Sequence, residues 1–431
     1  RLVGSEMCIR DSQYAIWGSW LISLGAYLGG GLQFTGLQIG SFFATMGIAS
    51  LFMPALMGII ADRWIPAQKL LGICQLISAG FLVAAASQTA YGPLYTCMLM
   101  SVMFYMPTIA LSNSVAYNAL DLAKLDAVKH FPPIRVWGTV GFIAAMWFVD
   151  LTHIGGVQIK LTEWQLYVSA LLSFVLAAYS FSLPGCPVER SAQKQSWVDT
   201  LGLRAFALFK EKRMAIFFVF SMLLGAALQI TNAFGDSYIQ NFGSMPQYAD
   251  SAIVKHSVIL LSLSQMSETL CILLIPFFLR RFGIKKVMLI SMLAWVLRFG
   301  FFGIGNPGGG LWMFVLSMLV YGVAFDFFNV SGALFVEKET DSSIQGAAQG
   351  LFMLMTNGIG ARVGTLAAGA VVNHFCKWTE VMTPEGPASF LLGDWQATWL
   401  IFAAYALLVA VVFAVVFKYK HVPEAIGTVK H

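Results

Sequence analysis

The stretch YGVAFDFFNVSG, residues 321–332, decides how the rest of the chain is read. A carboxylate, Asp326, stands among Phe325, Phe327 and Phe328 in a run otherwise apolar enough to dissolve in lipid. A charged group at mid-membrane costs at least ~2.5–3.5 kcal/mol, so an ionisable residue there faces a bundle interior or a wet cavity. If the run crosses a bilayer, Asp326 is therefore a candidate functional group, and the question becomes whether the remaining chain has the composition of a membrane bundle.

It has. Of 431 residues, 58% are hydrophobic and 11% charged, against roughly 25% charged in a soluble domain. A spanning helix needs about 20 largely apolar residues, because the hydrocarbon core is ~30 Å thick and a helix rises ~1.5 Å per residue. The net charge of +5 is too small and too dispersed for a nucleic-acid surface, and reads as loop charge that orients helices. Cys8, Cys74, Cys97, Cys186, Cys271 and Cys376 show no CxxC or regular spacing, so neither disulfides nor a metal site is expected. No HExxH, GxxxxGK[ST] or GxSxG is present, which leaves ATP drive, hydrolytic chemistry and any cofactor without their usual signatures.

Apolar stretches long enough to cross lie near 14–32, 37–61, 69–87, 91–118, 133–150 and 163–183, then 213–238, 253–280, 286–304, 311–336, 345–373 and 395–417. The expected fold is an all-α membrane protein of twelve transmembrane helices in two six-helix bundles. Residues 14–183 form the first bundle, 184–212 a linker, 213–417 the second bundle and 418–431 a tail. Residues 1–13, opening RLVGSEMCIRDS, have no apolar core of a secretory signal and are set aside as a segment foreign to the fold. Lys and Arg gather in loops on one side of this plan, including Arg63, Lys69, Lys124, Lys129, Arg190, Lys194, Arg280, Arg281, Lys285, Lys286, Lys418 and Lys420, and only Lys160, Lys255 and Lys377 fall opposite. Both termini are therefore expected on the cytoplasmic side. Within the linker, LGLRAFALFK (201–210) reads as an interfacial amphipathic helix. A basic loop follows the second span of each half, GIIADRWIPAQKLLG (58–72) and FFLRRFGIKKVML (277–289), as parallel repeats would give.

Five ionisable residues fall within spans: Arg135, Glu268, Arg298, Asp326 and Arg362. For Asp326, the alternatives are a helix-to-helix hydrogen bond or a protonatable group in a polar cavity. Gln265 and Glu268 are spaced i, i+3 on one helical face, and Gln229 with Asn232 repeats the device one span earlier. Arg135, Thr139 and Phe142 form an i, i+4, i+7 stripe; Arg135 either snorkels to the cytoplasmic edge or points inward as a partner for Asp326 or Glu268. Arg298 reads as snorkelling or structural. Arg362 lies between Gly360 and Gly364, a GxxxG spacing for close helix contact. Tyr321, Phe325 and Phe142 share faces with the polar groups and offer rings on which a flat heterocycle can stack.

The strings WGSWLISLGAY, FMPALMGIIADRW, FPPIRVWGTVGFI, SMLLGAALQITNAFG, SQMSETL, YGVAFDFFNVSGALFVEKE, AQGLFMLMTNG and FKYKHV together resemble the bacterial nucleoside:proton symporter family of the major facilitator superfamily, over residues 14–421. The resemblance implies twelve helices in two bundles and proton-driven nucleoside uptake across the bacterial inner membrane; a monomer is expected. It also implies a substrate cavity built from Arg135, Thr139, Phe142, Gln229, Asn232, Gln265, Glu268, Tyr321, Phe325 and Asp326. The expected proton-coupling group is Asp326, with Glu268 second and Arg135 as the charge that competes for the proton. Arg362 stands where the family is expected to carry a small or apolar residue. The competing expectations are a transporter of another polar solute such as a sugar, or a non-transporting membrane sensor.

Overall fold

In lipid no water is available to hydrogen-bond an exposed backbone, so apolar segments of this length close their own hydrogen bonds as helices. The computed structural model describes residues 1–188, 202–341 and 344–421. They fall into two compact units, one formed by residues 1–32 and 45–188, the other by residues 33–44 and 202–421.

The first unit contains α1 (Leu2–Gly18), most of α2 (Gly36–Arg63), α3 (Ala67–Ala86), α4 (Tyr91–Leu122), α5 (Ala127–Leu151) and α6 (Trp164–Ser180). The second contains α7 (Lys212–Gly225), α8 (Ile230–Asn241), α9 (Ser257–Cys271), α10 (Ile275–Phe282), α11 (Ile284–Ile304), α12 (Leu311–Glu339), α13 (Gln345–Met353), α14 (Ala361–Phe375) and α15 (Trp395–Val416). Among the described residues, nine helical segments are long and apolar enough to cross a membrane, and α6 is a shorter apolar one.

Several expectations are corrected. Residues 2–13, set aside above, are continuous with α1, where Ile9 and Gln13 are wholly buried. The stretch 14–32 is not one helix: α1 stops at Gly18, turns follow, and Tyr27–Gly31 is a π-helical turn rich in glycine. Helix α5 begins at Ala127, ahead of its apolar span Pro133–Leu151, which matches the expected 133–150. Residues 33–44 cluster with the second unit, where a Cβ on Gly40 would lie 2.5 Å from Thr365 O. The fold is also not purely helical. β1 (His153–Ile154) pairs with β2 (Val157–Gln158), and β3 (Cys376–Thr383) pairs with β4 (Gly386–Gly393), both antiparallel. The second hairpin turns through Pro384, Glu385 and Gly386, the last at φ +118°, where glycine alone is comfortable. The linker residues 189–201, with Arg190 and Lys194, and the tail beyond residue 421 lie outside the described residues. The amphipathic stretch before α7 is a 3₁₀ helix, Leu203–Lys210.

Each unit uses glycine in the same way beside a helix break. In the first, α1 ends at Gly18, whose added Cβ would stand 2.5 Å from Phe142 O on α5. In the second, α7 ends at Gly225, whose added Cβ would stand 2.2 Å from Thr356 O, in the π-helical stretch Leu354–Gly360 that joins α13 to α14. Between apolar helices in lipid, van der Waals contact rather than water release drives association, and small residues let backbones approach. Gly360 and Gly364 continue this seam against Met222 O and Ala226 O, at 2.4 and 2.1 Å from their would-be Cβ atoms. The close contact read from their GxxxG spacing is present; Arg362 between them is half-buried.

Candidate functional site

The break after α7 places the first pair of polar groups. Residues 226–229 form turns, and Gln229 becomes the N-cap of α8. An unwound turn inside a membrane bundle survives only where protein or a wet cavity satisfies its backbone. Asn232 Nδ2 donates to Gln229 Oε1 over 2.8 Å, and both side chains are half-buried. Gln265 and Glu268 follow on α9, both half-buried, and the amide of Gln265 makes no hydrogen bond among the described residues.

Helix α12 brings the aromatic and acidic groups. The rings of Tyr321 and Phe325 stack with centroids 5.8 Å apart and an interplanar angle of 13°. Tyr321 meets Trp295 edge-on, and the guanidinium carbon of Arg298 lies 4.6 Å from its ring centre. Glu268 and Asp326 lie within electrostatic reach of Tyr321. Asp326 is buried, 6% exposed, and its Oδ2 has almost no accessible surface. Beside it, Phe325 and Asn329 line a cavity of about 10 Å³ together with Leu228, Trp295 and Thr356, which is room for roughly one water.

In the first unit, Arg135, Thr139 and Phe142 share α5. Arg135 is exposed, Thr139 half-buried and Phe142 buried, and no hydrogen bond joins them. Phe142 is held by Gly18 against its backbone and by Trp17, which meets its ring edge-on at 6.3 Å.

Two polar clusters escaped the reading of the sequence. In the first unit, Gln75 Nε2 donates to Gln13 Oε1 at 2.9 Å and to Thr108 Oγ1 at 3.2 Å, while Ser173 Oγ donates to Gln75 Oε1 at 2.6 Å. The signal was present in Gln75, an amide in the middle of an apolar helix. In the second, Arg298 does not snorkel: it is 3% exposed and bonded on several sides.

Comparison with known proteins identifies the family. The family described as nucleoside H+ symporter matches residues 7–422. The xanthosine permease of Escherichia coli K12 is 52% identical over 96% of this chain and 95% of its own. The nucleoside permease NupG of the same organism is 49% identical over 97% of each. Crystal structures of NupG and of a single-substitution variant of it superpose with TM-scores of 0.87 and 0.90, at 48% and 46% identity, covering 97% of this chain and 100% of theirs. A peptide transporter at 12% identity and TM-score 0.70 shares the fold alone, which is of the major facilitator type. Catalytic machinery was not expected from the sequence, and the relatives are permeases. The chain is a transporter, and it belongs to the nucleoside H+ symporter family.

Proposed function

We propose that this chain imports nucleosides together with protons across a bacterial inner membrane. It would do so as a monomer of twelve spans in two six-helix bundles, with both termini in the cytoplasm. The substrate would meet Arg135, Thr139 and Phe142 from the first unit and Gln229, Asn232, Gln265, Glu268, Tyr321, Phe325 and Asp326 from the second. The base stacks on aromatic rings, and amides and carboxylates bond the ribose and the base edges. The observation that carries this reading is the α12 arrangement: two parallel rings beside a buried carboxylate, all within one and a half helical turns. A pyranose meets such rings only through its C–H face, whereas a nucleobase lays its whole π face on them.

Symport follows if protonation changes the relative stability of the two facing states of the carrier, since a ligand without differential affinity shifts no equilibrium. Asp326 is the primary proton carrier in this scheme and Glu268 the second. The discontinuous α7–α8 segment supports alternating access, because broken helices gather at the substrate sites of secondary transporters. The test is uptake of labelled uridine into proteoliposomes, with competition by unlabelled nucleosides and by hexoses. Competition by nucleosides alone, and dependence on an inward proton gradient, supports the reading. Competition by hexoses, or binding without flux, replaces it with a sugar carrier or a sensor.

A further inference from the structure

Arg298 is a buried cation in the middle of α11, and among the described residues no carboxylate lies within ion-pair distance of it. Its charge is instead spread over neutral groups. Nη1 donates to Ser264 Oγ at 3.0 Å on α9 and to Ser317 O at 3.0 Å on α12, and Nη2 donates to Thr231 Oγ1 at 3.1 Å on α8. The guanidinium also lies 4.6 Å from the ring centre of Tyr321 and 5.1 Å from that of Phe302. Ser317 Oγ returns a bond to Arg298 O at 2.8 Å.

Each of these partners adjoins a candidate site residue. Thr231 sits between Gln229 and Asn232, Ser264 precedes Gln265 and lies one turn before Glu268, and Ser317 lies one turn before Tyr321. One planar, five-donor fork thus fixes the three elements that carry all seven second-unit candidates. Lysine, a point charge on a flexible stem, cannot reproduce that fork. From α15 the side chains packed nearby are aromatic, Trp399 and Phe402 against Phe299, and carry no charge.

Resting on the symport reading above, we infer that Arg298 is a positioning residue of the transport cycle. Its guanidinium sets the register of α8, α9 and α12 around the substrate. Losing the fork geometry weakens substrate binding while turnover of bound substrate persists.

The test compares wild type, Arg298→Lys, Arg298→Gln and Ser264→Ala in proteoliposomes, measuring KM and kcat of labelled uridine uptake. The lysine and glutamine variants are each expected to raise KM about tenfold with kcat nearly kept. Ser264→Ala, which keeps the cation and removes one acceptor, raises KM by a few-fold, so the inference stays testable should Arg298→Gln fail to fold. An unchanged KM in Arg298→Lys and Ser264→Ala overturns it. So does a loss of kcat with KM untouched, which marks a residue that only holds the fold. If wild type itself takes up no nucleoside, the symport reading fails rather than the role of Arg298.

Discussion

The ring of Phe325 lies parallel to that of Tyr321, 5.8 Å between centroids and 13° between planes, on consecutive turns of α12. Phe325 is half-buried and borders a small cavity, whereas Tyr321 is buried and clamped by Trp295 and Arg298. Phe325 is thus the ring with a face to offer, and Tyr321 the support that keeps it aligned. An aromatic pair contributes about 0.5–1.5 kcal/mol beyond the area it buries, so Phe325→Leu should raise KM for nucleosides by about 2–10-fold with kcat nearly unchanged. Equilibrium binding of labelled nucleoside to the purified protein checks this; equal affinity in the variant removes the stacking role.

The Lys160–Asp150 pair, 3.3 Å apart with side chains 1% and 0% exposed, pins the β1–β2 hairpin of the first unit to the end of α5. Gln158 Nε2 adds a bond to Asp150 O at 2.8 Å. Breaking a buried ion pair from one side leaves a stranded charge and costs about 3–5 kcal/mol. Lys160→Met should therefore lower the melting temperature markedly, and the double variant with Asp150→Leu should recover much of it. Thermal unfolding of both in detergent decides; equal melting temperatures for wild type and Lys160→Met would show the pair to be dispensable.

Gly364 lies where a Cβ would come within 2.1 Å of Ala226 O. A backbone atom cannot step aside as a side-chain tip can, and overpacking costs about 1–3 kcal/mol or more. Gly364→Leu should reduce the yield of folded protein, as read by size-exclusion profiles, while Gly350→Ala, with nothing within 4 Å of its Cβ position, should not.

Burial pushes the Cys376 thiol, at the start of β3, from its usual value of 9.0 up to about 12. The thiolate is the reactive form, so Cys376 should resist maleimide labelling at pH 8–9 in the folded protein and react once denatured. The sign of the linkage follows. A raised value favours the protonated thiol in the fold, so its contribution to stability is present below about pH 9 and is lost as pH climbs toward about 12. Melting curves across that window should fall accordingly.

Much of this molecule was written in its hydropathy. Uninterrupted runs such as 286–304 and 395–417 reappear as α11 and α15 within a residue or two, because in lipid an apolar run of that length has one way to satisfy its backbone. Breaks were less legible. The turns at 226–229 and the π-helical stretch Leu354–Gly360 interrupt sequences as apolar as any continuous helix; glycines such as Gly225 and Gly358 permit a break without demanding one. At the site, a polar residue in an apolar run advertises itself, which is how Gln229, Asn232, Glu268 and Asp326 were found. Its partners do not. The bond from Asn232 to Gln229 was implied by their spacing, whereas the link from Arg298 to Thr231, Ser264 and Ser317 crosses four elements far apart in sequence, and Ser and Thr are too common in membrane helices to mark it.

The account turns on Asp326 as the group that couples protons to uptake. The most direct measurement is accumulation of labelled nucleoside in proteoliposomes under an imposed inward proton gradient, wild type beside Asp326→Asn, with exchange of internal for external nucleoside measured in the same vesicles. The account predicts that wild type concentrates substrate, and that Asp326→Asn exchanges it but no longer concentrates it. Concentration by Asp326→Asn to the wild-type level would contradict it.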